Sequence, residues 1–514
     1  MSNPSKSSHA QILKSSAVIG GSSAINLVIG MVRTKAMALL LGVSGYGLFS
    51  IYWNISELAR IVAGMGINNS GVRQIAESVD TGDSQRIGRT VTTLRRVALA
   101  LGVLGALLLF IFRQPVARIS FGDDSHAWAV GLLSLAVLMG SVSQGQMALL
   151  QGMRRIADLA QNNILGAFCG TLISVPIVYF YGEKGVVPAL VLVALAGVAS
   201  SWWFSRNVKV ERVAMTTRDV TQEAAGMLKL GFVFMTSALL TTGVTYCVQL
   251  ILRNKIGVES GIEAGKAAVG CYQAAWFVGG YFAGFILQAM GTDFYPRLTV
   301  ASKDNAECNR LVNEQAEVSL LLAGPGLLAT LTFAPLVILL QYSSKFEPAV
   351  EVLRWICLGM MLRVVTWPIG FIIVAKNAQK LFFWTEVFAN AIQVGLVWLG
   401  VQYFGLKGAG IGFFGMYVIQ FFTIYLIVRS LSGFRWTTEN IRIGSMYGVL
   451  VAALFVSSYF LPKPVVLIAG SVATVLTGIF SLRKLCSMLP VERFPRRVRQ
   501  LLGRLRLLPA NSNA

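Results

Sequence analysis

Along the chain, apolar runs of helix-spanning length alternate with short polar or Gly/Pro-marked connections. Fourteen such runs are discernible, at 13–41, 46–68, 91–112, 127–152, 159–181, 186–204, 230–252, 268–292, 318–340, 349–375, 379–404, 409–428, 443–461 and 465–482. About 20 apolar residues at 1.5 Å rise span the ~30 Å hydrocarbon core. In lipid, a lone segment satisfies its backbone polar groups only as a helix, so each run is predicted helical. Gly42 to Gly45, Gly182 to Gly185 and Pro462 to Pro464 read as tight turns between neighbours. The expected fold is therefore all-α: a polytopic membrane protein of about fourteen transmembrane helices.

The polar positions repeat between two halves. Ser22, Asn26, Gly30 and Arg33 form a stripe on the first helix, and Thr242, Thr245, Gln249 and Arg253 form one on the seventh. Steps of three and four keep each set on one face. A Gly-to-Arg segment follows later in each half, GINNSGVR from Gly66 to Arg73 and GTDFYPR from Gly291 to Arg297. Internal repeats of this kind build transporters around a central site. The pattern predicts two pseudo-symmetric six-helix lobes and a C-terminal helix pair. The expected boundaries are 1–209 for the N-terminal lobe, 210–229 for a cytoplasmic linker, 230–430 for the C-terminal lobe, 431–484 for the pair and 485–514 for a basic cytoplasmic tail.

Composition narrows the class. Hydrophobic residues make up 55% of the 514 and charged residues only 13%, which excludes an ordinary soluble domain. A net charge of +21 would suggest nucleic acid in a soluble protein. Here the cations fall mainly between apolar runs: with both termini cytoplasmic, inner segments together with the inner ends of the spans hold 30 of the 44 Lys and Arg, outer loops 9, and the span interiors 5. That asymmetry follows the positive-inside rule, so no nucleic-acid partner is expected. Arg493 to Leu508 mixes six arginines with leucines, either as an amphipathic helix on anionic lipid or as a purely topogenic tail. The six cysteines form no CxxC pair and only His9 and His126 supply imidazole, so neither metal nor other cofactor is expected. No GxxxxGK[ST] occurs, no Ser/His/Asp or paired-carboxylate arrangement is available, and no outer loop is large enough for a catalytic domain. An enzyme is not expected.

Charges inside the spans carry the functional reading, because one at the centre of a lipid-embedded helix costs about 2.5–3.5 kcal/mol on insertion scales. Arg363 lies mid-span in 349–375, facing either a hydrated cavity or a structural acid, while Arg354 is close enough to the end of that span to snorkel. Arg33 and Lys35 lie in the first run. Glu57 and Arg60 are three apart and pair on one helix face, either as structure or as part of a lining with Asn54, Ile61, Gly64 and Asn68. Glu386 has no local partner and suits a protonatable coupling acid, whereas Asp293 has Arg297 in reach. Tyr52, Trp53, Tyr272 and Trp276 suit either sugar stacking or helix packing, and Gly280 with Gly284 reads as a close helix crossing. The deepest charges are mainly positive, which points to an anionic cargo.

The segments LGVSGYG (Leu41 to Gly47), GINNSGVRQIAE, MGTDFYPRLT and LRWICLGMMLRVVTWPIGFIIVAK, with FFWTEV after them, resemble the polysaccharide-transporter branch of the multidrug/oligosaccharidyl-lipid/polysaccharide exporter superfamily. The second half resembles bacterial O-antigen and enterobacterial-common-antigen flippases in particular. The resemblance implies an inner-membrane flippase that moves undecaprenyl-pyrophosphate-linked oligosaccharide to the periplasmic leaflet by alternating access. It also implies partnership with a polysaccharide polymerase and chain-length machinery. Lys376, Glu386 and Arg363 fall on the family's Lys, Glu and basic positions. The expected substrate set is Arg33, Lys35, Arg60, Arg253, Arg363, Lys376, Asn26 and Gln249, with Glu57, Glu386 and Asp293 for coupling. A cation-coupled exporter of drugs or small metabolites is the alternative. A membrane glycan polymerase or ligase would need the outer loop that is missing.

Overall fold

The computed structural model describes residues 4–208, 210–211, 213–289 and 294–488, with side chains from residue 21 onward except at 80–81, 282–283, 285–289 and 295–296. Every regular element among them is a helix. The chain divides into two compact units, Met1–Gly270 and Cys271–Ala514. Asp293 and the arginine-rich tail, both singled out from sequence, lie outside the described residues.

The first unit contains α1 (Pro4–Gly64), α2 (Ile67–Thr81), α3 (Ser84–Ile111), α4 (Arg113–Phe121), α5 (Ala127–Gly152), α6 (Ile156–Tyr181), α7 (Val186–Ser205) and α8 (Thr217–Ser260), and α9 (Ile262–Ala289) begins in it. Helix α1 is two helices joined at Gly42, whose φ of 68° and ψ of −171° no helical residue adopts and whose positive φ a side chain would resist. Gly182, with φ 57°, closes α6 in the same way before α7 packs back on it. Helix α2 is short and amphipathic. Its Ile67 and Ile75 join Leu94 of α3, Leu149 and Leu150 of α5 and Met227 of α8 in a buried cluster, while the Arg73–Glu77 pair stays exposed. The long α8 starts from a capping box in which the Thr216 hydroxyl accepts from Asp219 N–H and the Asp219 carboxylate accepts from Thr216 N–H.

The second unit continues with α10 (Tyr295–Val300), α11 (Asn305–Thr332), α12 (Ala334–Gln341), α13 (Ala349–Ala375), α14 (Gln379–Phe404), α15 (Lys407–Ser432), α16 (Thr438–Phe460) and α17 (Lys463–Met488). Helix α13 is its core: Val352, Leu353, Ile356, Cys357, Met360, Val364, Ile369 and Ile372 are fully buried against α11 and α15. The last pair is fastened to α11 by Lys484, which reaches Glu317 at 3.1 Å and also pairs with Glu439 of α16.

Ten helical stretches among the described residues are long and apolar enough to cross a membrane, or eleven if the bent pair α11–α12 is one span. The sequence reading counted fourteen. The difference lies at four places: Gly21–Gly64 and Ile156–Ser205 each read as one stretch despite the breaks at Gly42 and Gly182, α11–α12 bends by 77°, and α9 is not among the ten.

The close helix crossings also fall elsewhere than expected. No described atom lies within 4 Å of a methyl placed at Gly280 or Gly284. Tight approaches include Gly47 against Lys266 and Gly270, Gly66 against Gly231, and Gly400 against Gly408, where an added methyl would overlap backbone atoms.

Candidate functional site

In the first unit, the polar face of α1 lines a cleft of about 350 Å³. Glu57, Arg60, Ile61 and Gly64 come from α1, Asn68 and Asn69 from α2, Gln144 and Gln151 from α5, and Thr242 from α8. Glu57 and Arg60 form a two-point pair: Arg60 Nε donates to Glu57 Oε2 at 3.1 Å, and a second guanidinium nitrogen donates to Oε1. The i,i+3 spacing brings them together and the planar fork fixes their geometry. Their side chains are 28% and 19% exposed, so the pair is neutralised yet still reaches the cleft. The Arg60 stem lies over Gly140 of α5, where a methyl would sit 3.0 Å from its Cδ. Asn68 Nδ2 donates to Gln144 Oε1 at 2.7 Å, while its own buried Oδ1 has no hydrogen-bond partner among the described residues. Asn54, from the same stripe, instead turns inward and donates to the Ser50 carbonyl at 3.1 Å.

The other first-unit candidates sit apart from this cleft. Arg33 lies against α6, where a methyl at Gly170 would be 3.2 Å from a guanidinium nitrogen, and its other terminal nitrogen is buried with no hydrogen bond among the described residues. Asn26, earlier on α1, likewise has a buried, unpartnered Oδ1. Lys35 is half-buried. Gln249 is 0% exposed and donates to Ser50 Oγ at 2.7 Å, which makes it a clamp between α8 and α1. Arg253 packs over Gly122 at the end of α4 and donates to Asn254 Oδ1 at 2.7 Å.

Near that end, Tyr52 Oη and His126 Nδ1 share a hydrogen bond of 2.7 Å, and the His126 ring lies 4.3 Å from Phe121. Burial and the Lys266 and Arg253 charges hold the imidazole below its usual pKa, against the pull of Asp123. Ser44 and Lys266 both bond Glu263, which holds that carboxyl low. Tyr52 and Tyr272 are buried, the latter stacked on Trp276 at 6.2 Å, while Trp53 is exposed.

In the second unit, Arg363 is half-buried on α13, with its guanidinium carbon 5.6 Å from the centre of the Trp367 ring. Its other close neighbour is Met360 Sδ at 4.0 Å, and among the described residues its buried Nε has no hydrogen-bond partner. Glu386 of α14 and Tyr417 of α15 lie close enough to feel the Arg363 charge, but among the described residues no carboxylate lies within ion-pair distance of it. Pro368 removes the N–H that would have bonded the Val364 carbonyl beside this cluster. Lys376 belongs elsewhere: its Nζ donates to the Ser302 carbonyl at 3.0 Å and to Asn305 Oδ1 at 2.5 Å, anchoring the end of α13 to the start of α11.

The structure therefore brings together Glu57 with Arg60 in one unit and Arg363 with Glu386 in the other. Gln144, Asn69, Gln151 and Thr242 were not singled out as site residues from sequence. The only available hint was Thr242 opening the α8 stripe.

These features define a polytopic helical membrane protein with compensated and uncompensated charges inside its spans, and the comparisons place it. Its fold matches a solved structure titled "Lipid II flippase MurJ, inward closed conformation" with TM-score 0.64 and 13% identity, over 91% of this chain and 99% of that one. It also matches inward-facing and outward-facing multidrug resistance MATE family transporters of the MOP superfamily, each with TM-score 0.58 and 16% identity, over 79% and 82% of this chain and 96% of each of those. The family model described as "Polysaccharide biosynthesis protein" matches residues 36–351, and the chain belongs to that family. Two relatives called "Lipid III flippase", from Escherichia coli (strain K12) and Shigella flexneri, are each 22% identical over 411 residues, covering 80% of this chain and 96% of theirs.

Proposed function

We propose that the protein is a flippase for lipid-linked oligosaccharide in the bacterial inner membrane. It moves a polyprenyl-pyrophosphate-linked unit, an O-antigen or related surface-polysaccharide repeat, from the cytoplasmic to the periplasmic leaflet by alternating access. Family membership and the similarity to lipid III flippases support the substrate class. The observation that carries the reading is Arg363, a mid-span guanidinium that among the described residues has a buried Nε left unbonded and no carboxylate in ion-pair range.

A pyrophosphate entering a low-dielectric region unpaired pays a prohibitive desolvation cost, and a preorganised cation offsets it. Arg363 takes the pyrophosphate. Arg60 stays bound to Glu57 and holds the wall of the polar cleft, whose amides suit sugar hydroxyls. Glu386, within reach of the Arg363 field, is the coupling acid: protonated, it leaves Arg363 wholly to the anion. Arg33 is a second anion contact, while Gln249 and Lys376 act by fixing helices.

The alternative is a cation-coupled drug or metabolite exporter. The MATE likeness bears only on fold, and the uncompensated positive charge disfavours a cationic cargo. The test is reconstitution in liposomes holding a fluorescent polyprenyl-pyrophosphate oligosaccharide, followed by quenching of the external leaflet. Accelerated loss of protected probe supports flipping. Unchanged protection, with uptake of a cationic dye by the same vesicles, overturns it.

A further inference from the structure

The second unit carries a cleft that the transport reading does not use. It has a volume of about 530 Å³ and lies where the start of α13, the α14–α15 turn and the α16–α17 turn meet. Both signs of charge line it: Arg354, Lys407 and Lys463 are the cations, and Glu347 and Glu351 the anions. The charges are not consumed by one another. Among the described residues the closest pair is Lys463 with Glu347 at 3.8 Å, and both are almost fully exposed at 90% and 78%. Such a pair in water contributes little and leaves both groups free to exchange partners. Arg354 lies deeper. It feels the charge of Glu351, yet its Nε is buried with no hydrogen-bond partner among the described residues. A buried donor left open in a roomy polar cleft is costly unless an acceptor from outside completes it.

The position is that of a headgroup site. The cleft lies at the ends of membrane-length helices, and Phe404 on its wall is 52% exposed. Leu340 and Phe460, at the ends of α12 and α16, present large apolar side chains at 66% and 82% exposure. An acyl chain has somewhere to run.

We propose that this cleft binds the zwitterionic headgroup of a phospholipid carrying a primary amine. Its phosphate bonds Arg354 and Lys407, and its ammonium sits between Glu347 and Glu351. A purely anionic headgroup satisfies the cations but places further negative charge against two carboxylates, so the mixed lining selects for the zwitterion. The volume admits one headgroup of this kind, and water alone offers no reason for opposed signs on one wall.

The test uses the full-length protein purified in mild detergent from membranes holding both phosphatidylethanolamine and phosphatidylglycerol, with retained lipid measured by native mass spectrometry. Wild type is expected to retain the ethanolamine lipid preferentially. Arg354→Gln should reduce that retention about tenfold, the weight of one charge-assisted hydrogen bond. Glu347→Gln with Glu351→Gln should keep lipid binding while shifting the preference toward phosphatidylglycerol. This second variant retains every cation, so it remains informative if Arg354→Gln fails to fold. Equal retention of both lipids by wild type, or an unchanged preference in the double carboxylate variant, overturns the proposal. Free phosphoethanolamine or inorganic phosphate displacing the bound species at millimolar concentration would also overturn it, by assigning the site to a soluble phosphate.

Discussion

Two arginines of the same chain solve the problem of burial differently. Arg60, one residue type on one helix turn, meets Glu57 three positions away and is held by two hydrogen bonds. Arg363 has an aromatic ring, a thioether and a carboxylate out of ion-pair range. A neutralised pair is an economical wall element, whose members depend on one another. An uncompensated guanidinium is costly to the fold, and that cost makes sense only if something outside the chain completes it. On the proposed reading, the contrast separates residues that shape a cavity from those that would meet the cargo.

The strongest way to break this comparison is to remove each charge and read transport and stability separately. Arg363→Gln should lower translocation of a lipid-linked oligosaccharide at least about tenfold, because a charged hydrogen bond to the anion contributes about 1.5–3 kcal/mol. Its melting temperature should hold or rise, since the fold no longer carries the charge. Arg60→Gln should do the reverse in emphasis, destabilising by about 1–2 kcal/mol, less than the 3–5 kcal/mol of a fully buried pair because both groups are partly exposed. Adding Glu57→Gln should restore most of that loss, and a double-mutant cycle of thermal unfolding measures it. Additive losses would show the two groups to be independent.

A smaller effect comes from His126. Its pKa is depressed in the folded protein, so neutral imidazole contributes stability that is present above the ordinary range near 6.5 and lost as pH falls below it. Wild type should lose more melting temperature between pH 7.5 and about 5 than His126→Gln, which does not titrate in that interval.

The same contrast explains what the sequence could reveal. Glu57 and Arg60 were legible as a pair because helical spacing alone decides whether they meet. So were Ile61, Gly64 and Asn68 as their neighbours on one face, and all three line the cleft. The opposite wall was not legible, since Gln144 and Gln151 arrive from α5 through tertiary packing. Arg33 shared a stripe with Asn26 on paper, yet the neighbour it meets, Gly170, is 137 positions along the chain. Gln249 looked like a lining residue because polar residues on apolar helices serve either cavities or helix–helix bonds, and periodicity does not tell these apart. Gly280 and Gly284 had the spacing of a close crossing, but spacing says nothing of whether a partner helix approaches that face. The helical class itself was plain, because lipid leaves the backbone few other solutions.

The most direct measurement is equilibrium binding of a short-chain polyprenyl-pyrophosphate oligosaccharide to the purified protein, comparing wild type, Arg363→Gln and the Glu57→Gln/Arg60→Gln pair. The account predicts that affinity falls at least about tenfold for Arg363→Gln and stays within about threefold of wild type for the neutral pair. Equal binding by wild type and Arg363→Gln, with loss confined to the neutral pair, would contradict it.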